Sequence, residues 1–224
     1  MSHRRGDPRI AIIHAVRGAI DPIGVAFAAL WPDARTDNLL EESLSTDIAE
    51  AGTETEAIQE RIADLAAYVT KAGADAILFS CSAFGASIER VKQSSSLSVL
   101  KPNEAMIDEA LDLGSRIGVV ATFPPTLESM RPEFNDQAHH RGIDLRLEER
   151  FVPGAMDALN NGKVERHDTL IAEAVGTLNG CNAIVLAQFT MARARPAVEA
   201  ATTTSVLTSP DSAVARLKHL WQTQ

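Results

Sequence analysis

The sequence predicts an α/β protein of two pseudo-symmetric lobes, each a mainly parallel β-sheet flanked by helices, with an active site in the cleft between them. Two observations carry this prediction. Short, wholly apolar runs alternate with longer amphipathic stretches. Two of those runs also recur at one interval: Arg9-Ile-Ala-Ile-Ile13 resembles Arg116-Ile-Gly-Val-Val120, and Asp75-Ala-Ile-Leu-Phe79 resembles Asn182-Ala-Ile-Val-Leu186, both at an offset of 107. A lobe near residues 1–107, carrying Cys81, is then followed by a similar one near 108–224, carrying Thr122 and Gln188. Repeats of this kind often exchange terminal elements, so the C-terminal helix is expected to pack on the first lobe.

The elements follow in order. Ile10–Val16 is a run of strand length, and Glu56–Lys71 places Ile58, Ile62, Leu65, Ala66 and Val69 at helical spacing. Ala76–Phe79 and Leu97–Leu100 read as strands, and Asn103–Leu113 as a helix with Asn103 at its cap. Arg116–Ala121 is a strand. Pro124-Pro125 breaks the chain, after which Thr126 is placed to cap a helix. Leu145–Val152 and Ala183–Ala187 read as strands, and Arg166–Leu178, Met191–Ala201 and Pro210–Trp221 as helices, with Ser205–Leu207 between the last two. Wholly apolar strands are buried on both faces, which belongs to parallel sheets covered by helices.

Composition narrows the function classes. The 224 residues are 45% hydrophobic and 23% charged, enough for a sizeable core without staples. A net charge of -9, with aromatics at only 4% and no basic tract, makes nucleic acid and anionic membrane poor partners. No apolar run approaches the ~20 residues of a membrane helix. The polar segment Met1–Arg9 lacks the apolar core of a signal peptide. Cys81 and Cys181 make no disulfide framework. The expected compartment is the cytoplasm, with both thiols reduced.

In open parallel sheets, ligands bind beyond the carboxyl ends of the strands. There, Ser80-Cys-Ser-Ala-Phe-Gly85 follows a strand and opens a helix near Ala86. Backbone N–H groups of Ser82, Ala83 and Phe84 at a positive helix end suit a carboxylate and lower the pKa of the Cys81 thiol. Cys81 is then an acid, a base or a nucleophile; the plainer reading is a small buried residue. Thr122 and Thr126, with the helix N–H groups beginning near Thr126, can hold an anionic oxygen, although Thr126 is equally well a simple cap. The repeat pairs Cys81 with Gln188, whose amide donates to a carboxylate or enolate but exchanges no proton near neutral pH. Thr190 adds a hydroxyl. His14, at the end of the first strand, is either a second proton carrier or a structural histidine. His139 and His140 read as solvated, His167 lies on a helix read as a surface one, and Cys181 is structural. No metal-ligand spacing, GxGxxG or Walker loop is present, so neither a metal nor a nucleotide cofactor is indicated.

Three segments together resemble the aspartate/glutamate racemase superfamily, which includes hydantoin racemases, maleate isomerases and arylmalonate decarboxylases. They are FSCSAFG (Phe79–Gly85), VVATFPPTL (Val119–Leu127) and IVLAQFTMAR (Ile184–Arg193). The resemblance covers most of the chain. It implies a cofactor-independent enzyme of two lobes, often dimeric, with one cysteine from each lobe flanking the substrate Cα. One thiol removes the α-proton and the other returns it on the opposite face. Cys81 matches the first-lobe cysteine, and Gln188 stands where the second belongs, so a two-thiol racemization is not available. The related single-cysteine decarboxylases keep the thiol of the other lobe.

The leading expectation is a racemase-like isomerase acting on a small carboxylic acid through Cys81. His14 would be the second acid/base, and Ser82, Ala83, Phe84, Thr122, Thr126, Gln188 and Thr190 would hold the substrate. The alternatives are a single-cysteine decarboxylase of malonate-type acids, a cysteine hydrolase, and a non-catalytic small-molecule binder.

Overall fold

The protein is described by a computed structural model over residues 7–223. The N-terminal polar segment, with His3, falls mostly outside the described residues. The chain divides into two units, one of residues 7–102 with 213–223 and the other of residues 103–212.

The first unit contains β1 (Arg9–His14), α1 (Ile20–Leu30), β2 (Arg35–Leu40), α2 (Ser43–Ala51), α3 (Glu56–Lys71), β3 (Ala76–Phe79), α4 (Gly85–Ser94) and β4 (Ser98–Leu100). Its strands form a parallel sheet in the order β2-β1-β3-β4. Ala11 and Ile13 pack with Ile58 and Ile62 of α3, and Ile10 and Ile12 on the opposite face are equally buried. Both sheet faces are therefore covered, as the continuous apolar run requires.

The second unit contains α5 (Glu104–Leu113), β5 (Arg116–Ala121), α6 (Pro124–His140), β6 (Arg146–Phe151), α7 (Ala155–Asn160), α8 (Val164–Val175), β7 (Ala183–Leu186), α9 (Arg195–Ala201) and β8 (Ser205–Thr208). Its sheet is again parallel, in the order β6-β5-β7-β8. Ile117, Val119 and Ala121 pack with Met106 and Phe134 of α5 and α6, while Val120 packs with Ile171 and Val175 of α8. The final helix, α10 (Ser209–Thr223), groups with the first unit from Ala213 onward. There Leu217 is buried and Lys218 Nζ donates to the Leu30 carbonyl at 2.8 Å.

The repeat extends to individual bonds. Ile10 pairs with Ala76 and Ile117 with Ala183, the same register in each sheet. Where the central strands begin, the Arg9 N–H donates to Asp75 Oδ2 at 2.8 Å and the Arg116 N–H donates to Asn182 Oδ1 at 2.9 Å. Where they end, the Ser80 N–H donates to the Ile13 carbonyl and the Ala187 N–H to the Val120 carbonyl, both at 3.0 Å.

Several local expectations are corrected. α6 begins at Pro124, with Phe123 at its cap position and no capping side chain. Thr126 is therefore inside the first turn, because proline is favoured at the first helical positions. Asn103 does precede α5, yet its Oδ1 accepts from Ser209 Oγ at 2.8 Å instead of capping the helix. His167 is fully buried on α8, not on a solvated face. The spacing His167, Ile171, Val175 is the signal for this in the sequence, since residues four apart share a helix face.

Candidate functional site

Each parallel sheet aims its strand ends at one edge, and the expected site residues occupy those edges. In the first unit, β3 runs into Ser80 and Cys81, and Cys81 holds extended backbone before a 3₁₀ turn, Ser82–Phe84. Phe84 is buried in the core under this turn and anchors it. Cys81 is partly buried, and its Sγ accepts from the Ala83 N–H. Burial pushes the thiol up, and that single hydrogen bond only partly offsets it. The direction is opposite to the expected lowering: desolvation of the thiolate outweighs the hydrogen bond from Ala83.

The expected carboxylate seat is also altered. The start of α4 is already occupied by Glu54, whose carboxylate accepts from the N–H groups of Ala86 (3.2 Å) and Ser87 (3.1 Å) and from the Ser87 hydroxyl. A carboxylate is favoured at a helix N-terminus, and the protein supplies its own. Of the three N–H groups expected to hold substrate, that of Ala83 serves Cys81.

His14 ends β1 and is fully buried. Its Nδ1 lies 2.7 Å from Ser80 Oγ and its Nε2 lies 2.9 Å from Asn38 Oδ1 on β2. An amide oxygen only accepts, so Nε2 carries the proton and Nδ1 accepts from the Ser80 hydroxyl. Burial lowers the His14 pKa, which keeps this neutral tautomer. Both nitrogens are thus occupied within the unit, and His14 acts on the residue beside Cys81 and not outward. The sequence gives no sign of Asn38 as a partner, because β2 has no apolar run to announce it.

In the second unit, Gln188 follows β7 and, like Cys81, holds extended backbone before a 3₁₀ stretch, Phe189–Ala194. Met191, fully buried, takes the anchoring place of Phe84. Gln188 Oε1 accepts from the Thr122 N–H at 2.7 Å and from the Thr122 hydroxyl at 2.9 Å. The Thr122 hydroxyl proton is therefore engaged, and the Gln188 amide Nε2 is left as the donor. The α6 start offers few N–H groups: Pro124 and Pro125 have none, and that of Thr126 goes to the Phe123 carbonyl at 3.1 Å. Thr190 is part-exposed, but its hydroxyl oxygen is turned inward and buried.

Cys181 is buried in the core formed with Ile184 and Val175, just before the start of β7 and so at the opposite end of that strand from Gln188. Among the described residues, no group of three or more His, Cys, Asp or Glu is arranged to hold a metal ion. No described helix is long and apolar enough to cross a membrane.

Comparison with known proteins places this geometry. The model of the Asp/Glu/Hydantoin racemase family matches residues 26–217. Among curated proteins, none matches the sequence significantly. Solved structures share the fold at low identity. The glutamate racemase isoform RacE1 from Bacillus anthracis is 12% identical with a TM-score of 0.73, over 98% of this chain and 83% of that one. The aspartate racemase of Picrophilus torridus is 15% identical with a TM-score of 0.68, over 94% and 92%. The allantoin racemase of Klebsiella pneumoniae is 18% identical with a TM-score of 0.66, over 96% and 88%. With the family model spanning most of the sequence and both parallel sheets matching the expected fold, this chain belongs to the Asp/Glu/Hydantoin racemase family.

Proposed function

We propose that the protein is a racemase-like isomerase of a small carboxylic acid in which Cys81 is the proton carrier and the Gln188 amide holds a carboxylate or enolate oxygen. The observation that carries this reading is the equivalence of the two residues: each follows the third strand of its sheet and leads a 3₁₀ turn with the same extended backbone. A thiol exchanges protons and an amide donates without exchanging them, so in this reading Cys81 takes the α-proton, Gln188 steadies the enolate, and solvent water returns a proton to the opposite face. The Ser80–His14–Asn38 chain fixes the residue next to the thiol, which makes His14 a positioning residue in this reading. The backbone N–H groups of Ser82 and Phe84 complete the substrate contacts on the Cys81 side. The carboxylic-acid class follows the glutamate and aspartate racemases that share the fold.

A decarboxylase of malonate-type acids is the second reading, favoured by the raised pKa of Cys81. A thiol that keeps its proton is suited to donate it. Loss of carbon dioxide from a substituted malonate leaves an enediolate, and one proton from Cys81 completes the product.

The test is proton exchange at Cα in deuterated water, followed by NMR, with separate enantiomers of aspartate, glutamate and allantoin and with substituted malonates. Deuterium incorporation at Cα with the carbon skeleton intact and the opposite enantiomer accumulating, both abolished in Cys81→Ala, is the expected result. Release of carbon dioxide from a malonate, also abolished in Cys81→Ala, would replace isomerase by lyase. Exchange that persists undiminished in Cys81→Ala would overturn both readings.

A further inference from the structure

The second unit contains a buried imidazole that the proposed reaction does not use. His167, on the first turn of α8, is fully buried, and its Nδ1 lies 2.7 Å from Asp168 Oδ1. A carboxylate only accepts, so Nδ1 carries the proton, and in the neutral ring Nε2 is an acceptor. Among the described residues that Nε2 has no hydrogen-bond partner, and neither does the buried Thr190 hydroxyl oxygen. One is an acceptor lacking a donor, and the other carries a donor lacking an acceptor. Buried polar groups are rarely left unpaired, because each forfeits its hydration for nothing.

The local geometry brings these two groups to the same seam. Thr190 and Arg193 are three residues apart in the 3₁₀ stretch Phe189–Ala194, and side chains so spaced eclipse one another. Arg193 Nε lies 3.1 Å from Asp168 Oδ1. The face of the turn that carries Thr190 is therefore the face pinned to α8 beside His167.

We propose that the Thr190 hydroxyl donates to His167 Nε2 across one bridging water, and that the chain Arg193–Asp168–His167–Thr190 positions the turn led by Gln188. Thr122 holds the Gln188 side chain by its oxygen, and this chain holds the backbone that carries it. The amide Nε2 is then aimed by two independent restraints. The first unit uses the same pairing, with the Ser80 hydroxyl donating to His14. The two histidines are not equivalent in the repeat, since Ala121 occupies the place of His14. Each half then secures its turn by pairing a hydroxyl with an imidazole from its own residues, directly in the first unit and through the bridge in the second. The importance of this bridge for substrate rests on the proposed role of Gln188; the bridge itself does not.

The test is ¹⁵N NMR of ring-labelled histidine in the full chain, comparing the wild type with Thr190→Val and Thr190→Ser. The expected result is a His167 ring protonated at Nδ1, with an Nε2 resonance that shifts in Thr190→Val, returns toward the wild type in Thr190→Ser, and leaves His14 unmoved. An Nε2 resonance indifferent to Thr190→Val, or a proton found on Nε2, would overturn the bridge. Where the wild type exchanges α-protons, Thr190→Val should raise KM several-fold with a smaller change in kcat, and Thr190→Ser should restore it. Unchanged KM in Thr190→Val alongside a lost response in Gln188→Ala overturns the positioning role alone. A wild type inert toward every compound overturns the proposed reaction, and the NMR result still supports or rejects the bridge.

Discussion

Gln188 Oε1 accepts both donors of Thr122, the main-chain N–H at 2.7 Å and the hydroxyl at 2.9 Å. The two residues are 66 positions apart, as are His14 and Ser80 in the first unit. This bond gives the glutamine a structural and a functional end, and the two can be separated. In Gln188→Ala the buried Thr122 donors lose their acceptor, with an expected cost of about 1–3 kcal/mol in urea unfolding. Gln188→Glu keeps an acceptor for both and should stay near the wild-type midpoint. Both variants lack the Nε2 donor and should lose substrate exchange. A Gln188→Glu variant with undiminished exchange would remove the amide from the mechanism.

Alkylation reports the state of Cys81. Because burial raises its pKa, iodoacetamide labelling in a Cys181→Ala background should have a pH midpoint above the ordinary 9.0 of a thiol. The folded state holds this proton more tightly than the unfolded state. The resulting stability is complete below the ordinary thiol value and is lost as pH rises through the folded one. A midpoint below 9.0 would restore the helix-end activation that the sequence alone suggests.

His14 has the opposite dependence. Its folded pKa is lowered from 6.5 by burial, so the unfolded state binds the proton first as pH falls. Stability from the neutral ring is present above 6.5 and should decline on acidification through the folded value. Urea midpoints measured across this range should fall in the wild type and fall less steeply in His14→Gln. Identical slopes would show that His14 is not the group responsible.

Gly114 joins α5 to β5 with a φ of +151°, and a Cβ there would lie 2.3 Å from Asn182 Cγ. Asn182 is the residue that accepts the Arg116 N–H, so the clash falls on a bond repeated in both units. Gly114→Ala should lower stability by at least about 1–3 kcal/mol, read as a lower thermal midpoint. At Gly85 an added Cβ would meet nothing within 4 Å, and the backbone is ordinary helix, so Gly85→Ala should be tolerated. Equal losses in the two variants would refute the steric argument.

Some features are legible in the sequence because they depend on near neighbours in the chain. The apolar runs of β1, β3, β5 and β7 announce two buried parallel sheets, and their common offset pairs Cys81 with Gln188 without any tertiary information. β2 carries no such signal: Arg35–Leu40 is a largely exposed edge strand whose residues show neither an apolar run nor a clean alternation. α6 starts two residues before the sequence expectation, because Pro124 and Pro125 initiate the helix instead of breaking the chain ahead of it.

By itself the sequence determined the α/β repeat, the positions of the strand ends and the chemical asymmetry between a thiol and an amide, because periodicity and residue identity are local properties. Only the tertiary structure decided what those groups meet. Glu54 fills the start of α4, Asn38 and Ser80 occupy both nitrogens of His14, and His167 is buried on α8 beside the Asp168 that holds Arg193. The sign of the Cys81 shift was decided in the same way. A helix end and a desolvated pocket pull a thiol in opposite directions, and the balance depends on residues far away in the chain that pack around it.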